Sequence, residues 1–291
     1  MIAQQIFNGL ALGMSYALIA VGYSLVFGIL RLVNFSHGAV YAFGAQMALV
    51  FISIKFGIIP SLLLSILLTG VLGVVIDKMA LEPLRKKKSI PIASLITTIG
   101  ISNIVTNLLI AIFGSEKRAF PSLFHFGNVQ VGNIVISSTQ IGMCVVSLVL
   151  MLVLVGIVFC TKTGLAMRAS EQNPKAANLM GINVNLVISI TFFLSGVSAA
   201  IAGSLVGSYY QIVYPNMGFM AGLKAFAAAV LGGIGSLPGA IVGGLIVGIS
   251  ESMAATMLGS TYRDSMAFII LILVLIVRPN GLFGKKGITK V

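Results

Sequence analysis

Long apolar runs alternate with short polar connections along the whole chain. About 20 helical residues cross the hydrocarbon core of a bilayer. The runs of that length cover 6–30, 38–56, 60–80, 90–113, 138–160, 185–206, 238–257 and 264–277. A shorter run at 218–233 is either a further span or a broken half-helix. The pattern therefore predicts an all-α, polytopic membrane helix bundle with about 8–10 transmembrane segments.

The composition agrees with lipid as the main solvent. Of 291 residues, 58% are apolar and 8% are charged, whereas soluble domains carry about 25% charged residues. Lys and Arg number 18 against 6 Asp and Glu, which gives a net charge of +12. In a soluble protein this excess would indicate nucleic-acid binding. Here the basic residues lie between apolar runs, where they report topology. We therefore predict one transmembrane domain over 1–291, surrounded by lipid, with no nucleic-acid partner.

Basic residues cluster in three connections, which are therefore predicted to be cytoplasmic. The 114–137 loop lies between two of them and is expected outside. An odd number of crossings must then follow residue 206, which requires 218–233 to be a full span. The side of the N-terminus stays open. The clusters are Arg85 to Lys88, the 161–184 loop with Lys162, Arg168 and Lys175, and the tail with Arg278, Lys285, Lys286 and Lys290.

A polar stretch from Asn34 to Gly38 separates the first two apolar runs. Asn34, Ser36 and His37 carry donors and acceptors that lipid cannot satisfy. The stretch is either an ordinary tight loop or irregular backbone at membrane depth, which is tolerated where it lines a cavity. We predict a helix break that borders the translocation path.

Three further polar side chains lie within the apolar runs. Asn103 and Asn107 are one helical turn apart and share a face, which we expect beside the 34–38 stretch. Glu251 lies in the 238–257 run, where a carboxylate costs on the order of 3 kcal/mol. Each residue either forms hydrogen bonds between helices or lines the translocation path. Ion coupling would need intramembrane charges, and only Glu251 is clearly available.

Glycines four residues apart recur in several runs. Small residues at this spacing let helices approach closely in lipid, so they predict packing faces rather than a binding site. The pairs are Gly9 and Gly13, Gly203 and Gly207, Gly218 and Gly222, Gly239 and Gly243, and Gly244 and Gly248.

The 161–184 loop is the longest connection predicted to be cytoplasmic. Asn173 followed by Pro174 predicts an N-cap and a first helical residue, and Gly181 predicts the end of that helix. Residues 165–172 can form another short helix before it. The capped helix, with small residues such as Ala176 and Ala177, either docks into a groove on a soluble partner or rests on lipid headgroups.

No catalytic or metal-binding pattern is found in the sequence. A phosphate loop of the type G-x-x-x-x-G-K-[ST] is missing, so we expect no nucleotide hydrolysis by this chain. Cys144 and Cys160 would lie about 24 Å apart on one helix, too far for a disulfide. His37 and His125 have no neighbours at ligand spacing. Neither a catalytic residue, a metal nor a cofactor is expected, which leaves a transport subunit or a stand-alone channel or ion-coupled transporter.

Six segments resemble a known family: 8–22, 28–38, 96–102, 224–239, 244–252 and 278–284. The most specific are Asn-Phe-Ser-His-Gly at 34–38 and Gly-Gly-Ile-Gly-Ser-Leu-Pro-Gly at 232–239. With them the whole chain resembles the LivH-type permease subunit of branched-chain amino-acid ABC transporters. The resemblance implies a bundle with broken or re-entrant helices in the bacterial inner membrane. It also implies import of leucine, isoleucine and valine, with another amino acid or an amide such as urea as the alternative substrate.

The same resemblance implies partners for this chain. They are a second, LivM-type permease, two cytoplasmic ATPases that hold ATP and Mg, and an extracytoplasmic substrate-binding protein. The 161–184 loop then corresponds to the cytoplasmic coupling loop. Its sequence, Lys-Ala-Ala-x-x-x-Gly, differs from the family's pattern E-A-A-x-x-x-G at one position, where Lys175 stands in place of Glu. The predicted ATPase-coupling residues are Arg168, Glu171, Asn173, Ala176, Ala177 and Gly181.

Overall fold

Helices dominate the structure, a computed structural model that describes residues 2–87, 89–131 and 134–284. Lys88, Lys285, Lys286 and Lys290 of the predicted basic clusters lie outside these residues. The helices are α1 (Ile2–Leu30), α2 (His37–Ser53), α3 (Ile58–Ile76), α4 (Glu82–Lys86), α5 (Pro91–Phe113), α6 (Ser138–Cys160), α7 (Lys162–Gln172), α8 (Pro174–Leu179), α9 (Val184–Tyr210), α10 (Met217–Gly232), α11 (Leu237–Met257) and α12 (Arg263–Val277).

Seven helical segments in the described part of the chain are long and apolar enough to cross a membrane. One of them runs from α3 through a π-helical turn (Asp77–Leu81) into α4. With the shorter apolar helices α2 and α10, the described residues form a bundle of nine membrane helices. This confirms the predicted polytopic helical fold.

Two small antiparallel sheets mark one end of the bundle. Strand β1 (Arg118–Ala119) pairs with β4 (Ile212–Val213), and β2 (Val129–Val131) pairs with β3 (Ile134–Ile136). The first pairing joins the α5–α6 connection to the α9–α10 connection, so both lie at the same end. We call this end the hairpin side and the opposite end, with α7 and α8, the loop side.

Contacts at the helix ends fix the direction of each crossing. Gln4 of α1 exchanges two hydrogen bonds of 2.8 Å with the backbone of Val135, so α1 begins on the hairpin side. The turn after α10 lies on the loop side, because its Gly235 lines one cavity together with Arg168 and Glu171 of α7. Hence α10 is a full crossing, and three crossings follow α9, as the charge pattern requires.

Glycine contacts bring the central helices together. A Cβ atom on Gly13 of α1 would lie 2.9 Å from the Cα atom of Leu245 in α11, and one on Gly203 of α9 would lie 2.5 Å from the Tyr41 carbonyl of α2. Ordinary side chains do not fit at such distances. The predicted glycine packing faces are therefore confirmed. Helices α5, α6 and α12 lie at the edge, where they expose apolar side chains such as Leu152.

We predict that the hairpin side faces the outside of the cell, because the basic loops lie at the other end. With Cys144 and Cys160 replaced by serine, a single cysteine at Ile2 or Lys55 should react with an impermeant thiol reagent added to intact cells. A cysteine at Leu179 should react only after permeabilisation. Labelling of the Leu179 position in intact cells would contradict this orientation.

Candidate functional site

The helix break predicted at residues 34–38 lies at 31–36, between α1 and α2. Its polar atoms bond to one another, since Ser36 donates from its backbone N–H (3.1 Å) and its hydroxyl (2.6 Å) to Asn34 Oδ1. The N–H of Phe35 donates to Thr98 Oγ1 of α5 at 3.3 Å. Asn34 and Ser36 are buried. The irregular backbone is thus satisfied inside the protein, as membrane depth requires.

His37, the first residue of α2, lies inside the bundle and is 2% exposed. Its Nδ1 atom is 3.2 Å from Ser195 Oγ of α9, and its ring meets the edge of Tyr23 with centroids 4.7 Å apart. The His37 ring also contacts Gly22 of α1, so the first turn of α2 packs beside α1 well before the C-terminal end of α1. Nε2 is buried and has no hydrogen-bond partner in the described residues. A surface loop is therefore excluded for this stretch, while its part in transport stays a prediction.

Asn103 and Asn107 share a face, but it is not the face that meets the break. Both are exposed, and Asn107 donates only to the Asn103 carbonyl of its own helix, at 2.9 Å. The buried face of α5 instead includes Thr98, Val105 and Leu109. The expectation that the two asparagines lie beside the 34–38 stretch is wrong, because α5 lies at the edge of the bundle and turns them outward.

Glu251 is completely buried in α11 and belongs to a network of charges. Its Oε1 atom lies 3.0 Å from Lys224 Nζ of α10 and 2.7 Å from Arg263 Nε of α12. Lys224 Nζ also lies 2.6 Å from Asp264 Oδ1. The view that only Glu251 supplies an intramembrane charge is therefore wrong. Lys224 interrupts an apolar run in the sequence, and that signal was missed.

A second buried carboxylate lies towards the loop side. Asp77, in the π-helical turn, lies 2.5 Å from Arg85 Nη1 and accepts a hydrogen bond of 2.9 Å from Ser189 of α9. The pair ties the end of α3 to the beginning of α9. It is remote from the Glu251 network, so we assign it to the scaffold.

The 161–184 loop folds as the two short helices α7 and α8. Asn173 caps α8 by accepting backbone hydrogen bonds of 3.1 Å from Lys175 and Ala176. Gly181, with φ of +85°, follows the end of the helix. The predicted helix start and stop are confirmed.

Side chains of the two loop helices face different ways. Ala177 packs inward, whereas Ala176, Leu179 (89% exposed) and Met180 (83% exposed) face outward. Arg168 and Glu171 face a cavity of about 520 Å³ on the loop side. The structure thus separates the predicted coupling residues into an outer surface and an inner pair. No group of His, Cys, Asp and Glu that would hold a metal occurs within the described residues.

A family model for the permease component of branched-chain amino acid transport systems matches residues 5–277. The chain belongs to this permease family. BraD, the permease protein of the high-affinity branched-chain amino acid transport system of Pseudomonas aeruginosa, is 41% identical, with 99% of this chain and 97% of BraD covered. The corresponding LivH of Escherichia coli is 40% identical over the same shares.

A solved structure shows the same fold. A chain of PsaBC from Streptococcus pneumoniae, in complex with Fab, matches with a TM-score of 0.53 and 14% identity, covering 97% of this chain and 98% of that one. At this identity the likeness concerns the fold alone. As a branched-chain permease family member, the chain is thus a transport subunit, and the polar groups that its bundle buries are candidates for contact with a solute.

We predict that His37→Leu reduces ATP-driven uptake at least about tenfold, because leucine keeps the volume but removes the polar edge beside Ser195. ATP hydrolysis and assembly should persist. The control is His125→Leu, which changes the other histidine, an exposed one on the hairpin side. Uptake by the His37 variant at the wild-type rate would show that the buried break has no part in transport.

Proposed function

We propose that this chain is the membrane-spanning permease subunit of an ATP-driven importer of amino acids, with leucine, isoleucine and valine as its main substrates. The observation that carries the proposal is similarity over nearly the full length to BraD and LivH, whose names state that transport system. The nine membrane helices of the described residues, with a capped loop on one side, are what such a subunit needs. The membrane is the bacterial inner membrane, with the loop side in the cytoplasm.

The proposed assembly contains a second, LivM-type permease, two ATPases that hold ATP and Mg, and an extracytoplasmic binding protein. The exposed faces of α5, α6 and α12 leave room for the second permease and for lipid. Asn103 and Asn107 expose polar groups on α5. That position suits a translocation path formed between two permeases better than one inside a single chain.

Coupling to the ATPase is assigned to α7 and α8. Leu179 and Met180 are large, apolar and almost fully exposed, next to a helix whose start and stop are fixed by Asn173 and Gly181. Such a patch costs free energy in water and gains it in an apolar groove. Arg168 and Glu171 face the loop-side cavity between α7 and the membrane helices, so they suit transmission of movement from α8 to the bundle rather than contact with the ATPase.

A stand-alone channel or ion-coupled transporter is the alternative class. The Glu251 carboxylate is held by Lys224 and Arg263, and Lys224 is also paired with Asp264. Because these intramembrane charges are engaged with one another, the network supports solute binding or structure more than ion coupling.

The coupling proposal predicts that Gly181→Val abolishes ATP-driven uptake of L-leucine by proteoliposomes containing the whole transporter. Gly127→Val on the hairpin side is the matched control. Both glycines have φ of +80° or more and nothing within 4 Å of a built Cβ atom, so the backbone cost of about 1–2 kcal/mol is the same. Only Gly181 adjoins the exposed surface of α8.

Two results would refute this function. L-leucine uptake that proceeds without ATP would indicate a channel or an ion-coupled transporter. A Gly181→Val transporter that assembles with the ATPases and imports normally would refute the docking of α8.

A further inference from the structure

A cavity of about 400 Å³ opens on the hairpin side among α1, α2, α9, α10, α11 and α12. Its volume lies within the range of about 300–1,000 Å³ that is typical of small-molecule sites. Five charged side chains line it: Lys117, Lys224, Glu251, Arg263 and Asp264. In a chain with 8% charged residues, so many charges around one cavity in a membrane bundle need a reason beyond packing.

The charges do not cancel within the cavity. Three cations face two carboxylates, and in the described residues Lys117 forms no ion pair but lies 5.7 Å from the centroid of the Tyr214 ring. At the buried end of the cavity, Glu251 Oε2 is fully buried and has no hydrogen-bond partner within the described residues, although Oε1 is bonded twice. A buried carboxylate oxygen without a donor is costly. Among the described residues, the cavity therefore has a cation without a counter-ion near its exposed part and a carboxylate oxygen without a hydrogen-bond donor at its buried end.

The remaining wall is apolar and aromatic. Tyr16, Tyr41 and Tyr210 surround the charged network, and Met217 and Met220 of α10 supply flexible apolar surface. Methionine adapts to apolar groups of different shape. Such a wall accepts an aliphatic side chain, whereas a neutral amide such as urea would use neither the apolar surface nor the separated charges.

We propose that this cavity binds the free amino-acid zwitterion as it enters the permease, with the α-carboxylate held by Lys117, the α-ammonium by Glu251 Oε2, and the side chain by Met217 and Met220. Arg263 and Lys224 hold Glu251 in place. The inference rests on the proposed function and adds to it a substrate class, a zwitterion rather than an amide, and the groups that recognise it.

Equilibrium binding to the assembled transporter tests the site. The complete complex of permeases and ATPases, without its binding protein, is placed in nanodiscs with radiolabelled L-leucine. Unlabelled L-leucine should displace the label. L-Leucinamide, 4-methylpentanoate and urea should each compete at least about tenfold less well, because each lacks one or both charges. Absence of L-leucine binding at millimolar concentration, or equal competition by urea, would overturn the proposal.

Variants then test the residues. Lys117→Gln should weaken L-leucine binding about tenfold or more. It should leave folding undisturbed, because Lys117 is exposed and forms no ion pair among the described residues. Lys55→Gln changes another exposed lysine on the hairpin side, outside the cavity, and should bind as the wild type does. Equal affinity in the two variants would refute the role of Lys117.

ATP-driven uptake with the binding protein, measured on the same purified complexes after reconstitution into proteoliposomes, separates this inference from the proposed function. Wild-type uptake without L-leucine binding to the cavity refutes the site and leaves the function standing. Absence of ATP-driven uptake in the wild type refutes the function itself.

Discussion

The close contact of α1 with α11 is the interaction on which the rest of the structure depends. Gly9 and Gly13 of α1 pack against Gly248 and Gly244 of α11, so that the two backbones touch. Ser252 adds a hydrogen bond of 2.9 Å to the Gln5 carbonyl. In lipid, apolar surface gives no preference for another helix over a lipid tail. Close backbone approach and hydrogen bonds must supply that preference.

This contact positions the polar features of the bundle. Glu251 follows Gly248 by about one turn of α11 and lines the charged cavity together with Tyr16 of α1, so the contact between the two helices brings this wall of the cavity together. Further along α1, Gly22 leaves the space that His37 occupies. A shift of α1 against α11 would therefore disturb both the cavity and the helix break.

The membrane helices were predictable because the length of an apolar run reports a crossing directly. The caps of α8 were predictable too, since Asn173, Pro174 and Gly181 act through local backbone geometry. The face that each membrane helix buries was not predictable. Helices that are apolar all round have little amphipathic signal, and so Asn103 and Asn107 gave no indication that they face outward.

Contacts between segments that are far apart along the chain could not be predicted from the sequence either. Lys224 and Glu251 are 27 residues apart, and nothing local in either helix shows that they meet. The pair of Asp77 and Arg85 forms through a π-helical turn, which has no clear sequence signal. In each case the partner is chosen by tertiary packing, which the glycine contacts determine.

The dependence of the structure on the contact between α1 and α11 is tested most directly by the thermal stability of glycine variants in detergent. Gly13→Leu should lower the melting temperature sharply or prevent a monodisperse preparation, because its side chain would enter the backbone of α11. Gly100→Leu and Gly156→Leu, with nothing within 4 Å of a built Cβ atom, should behave as the wild type does. A Gly13→Leu protein as stable as these two controls would contradict the account.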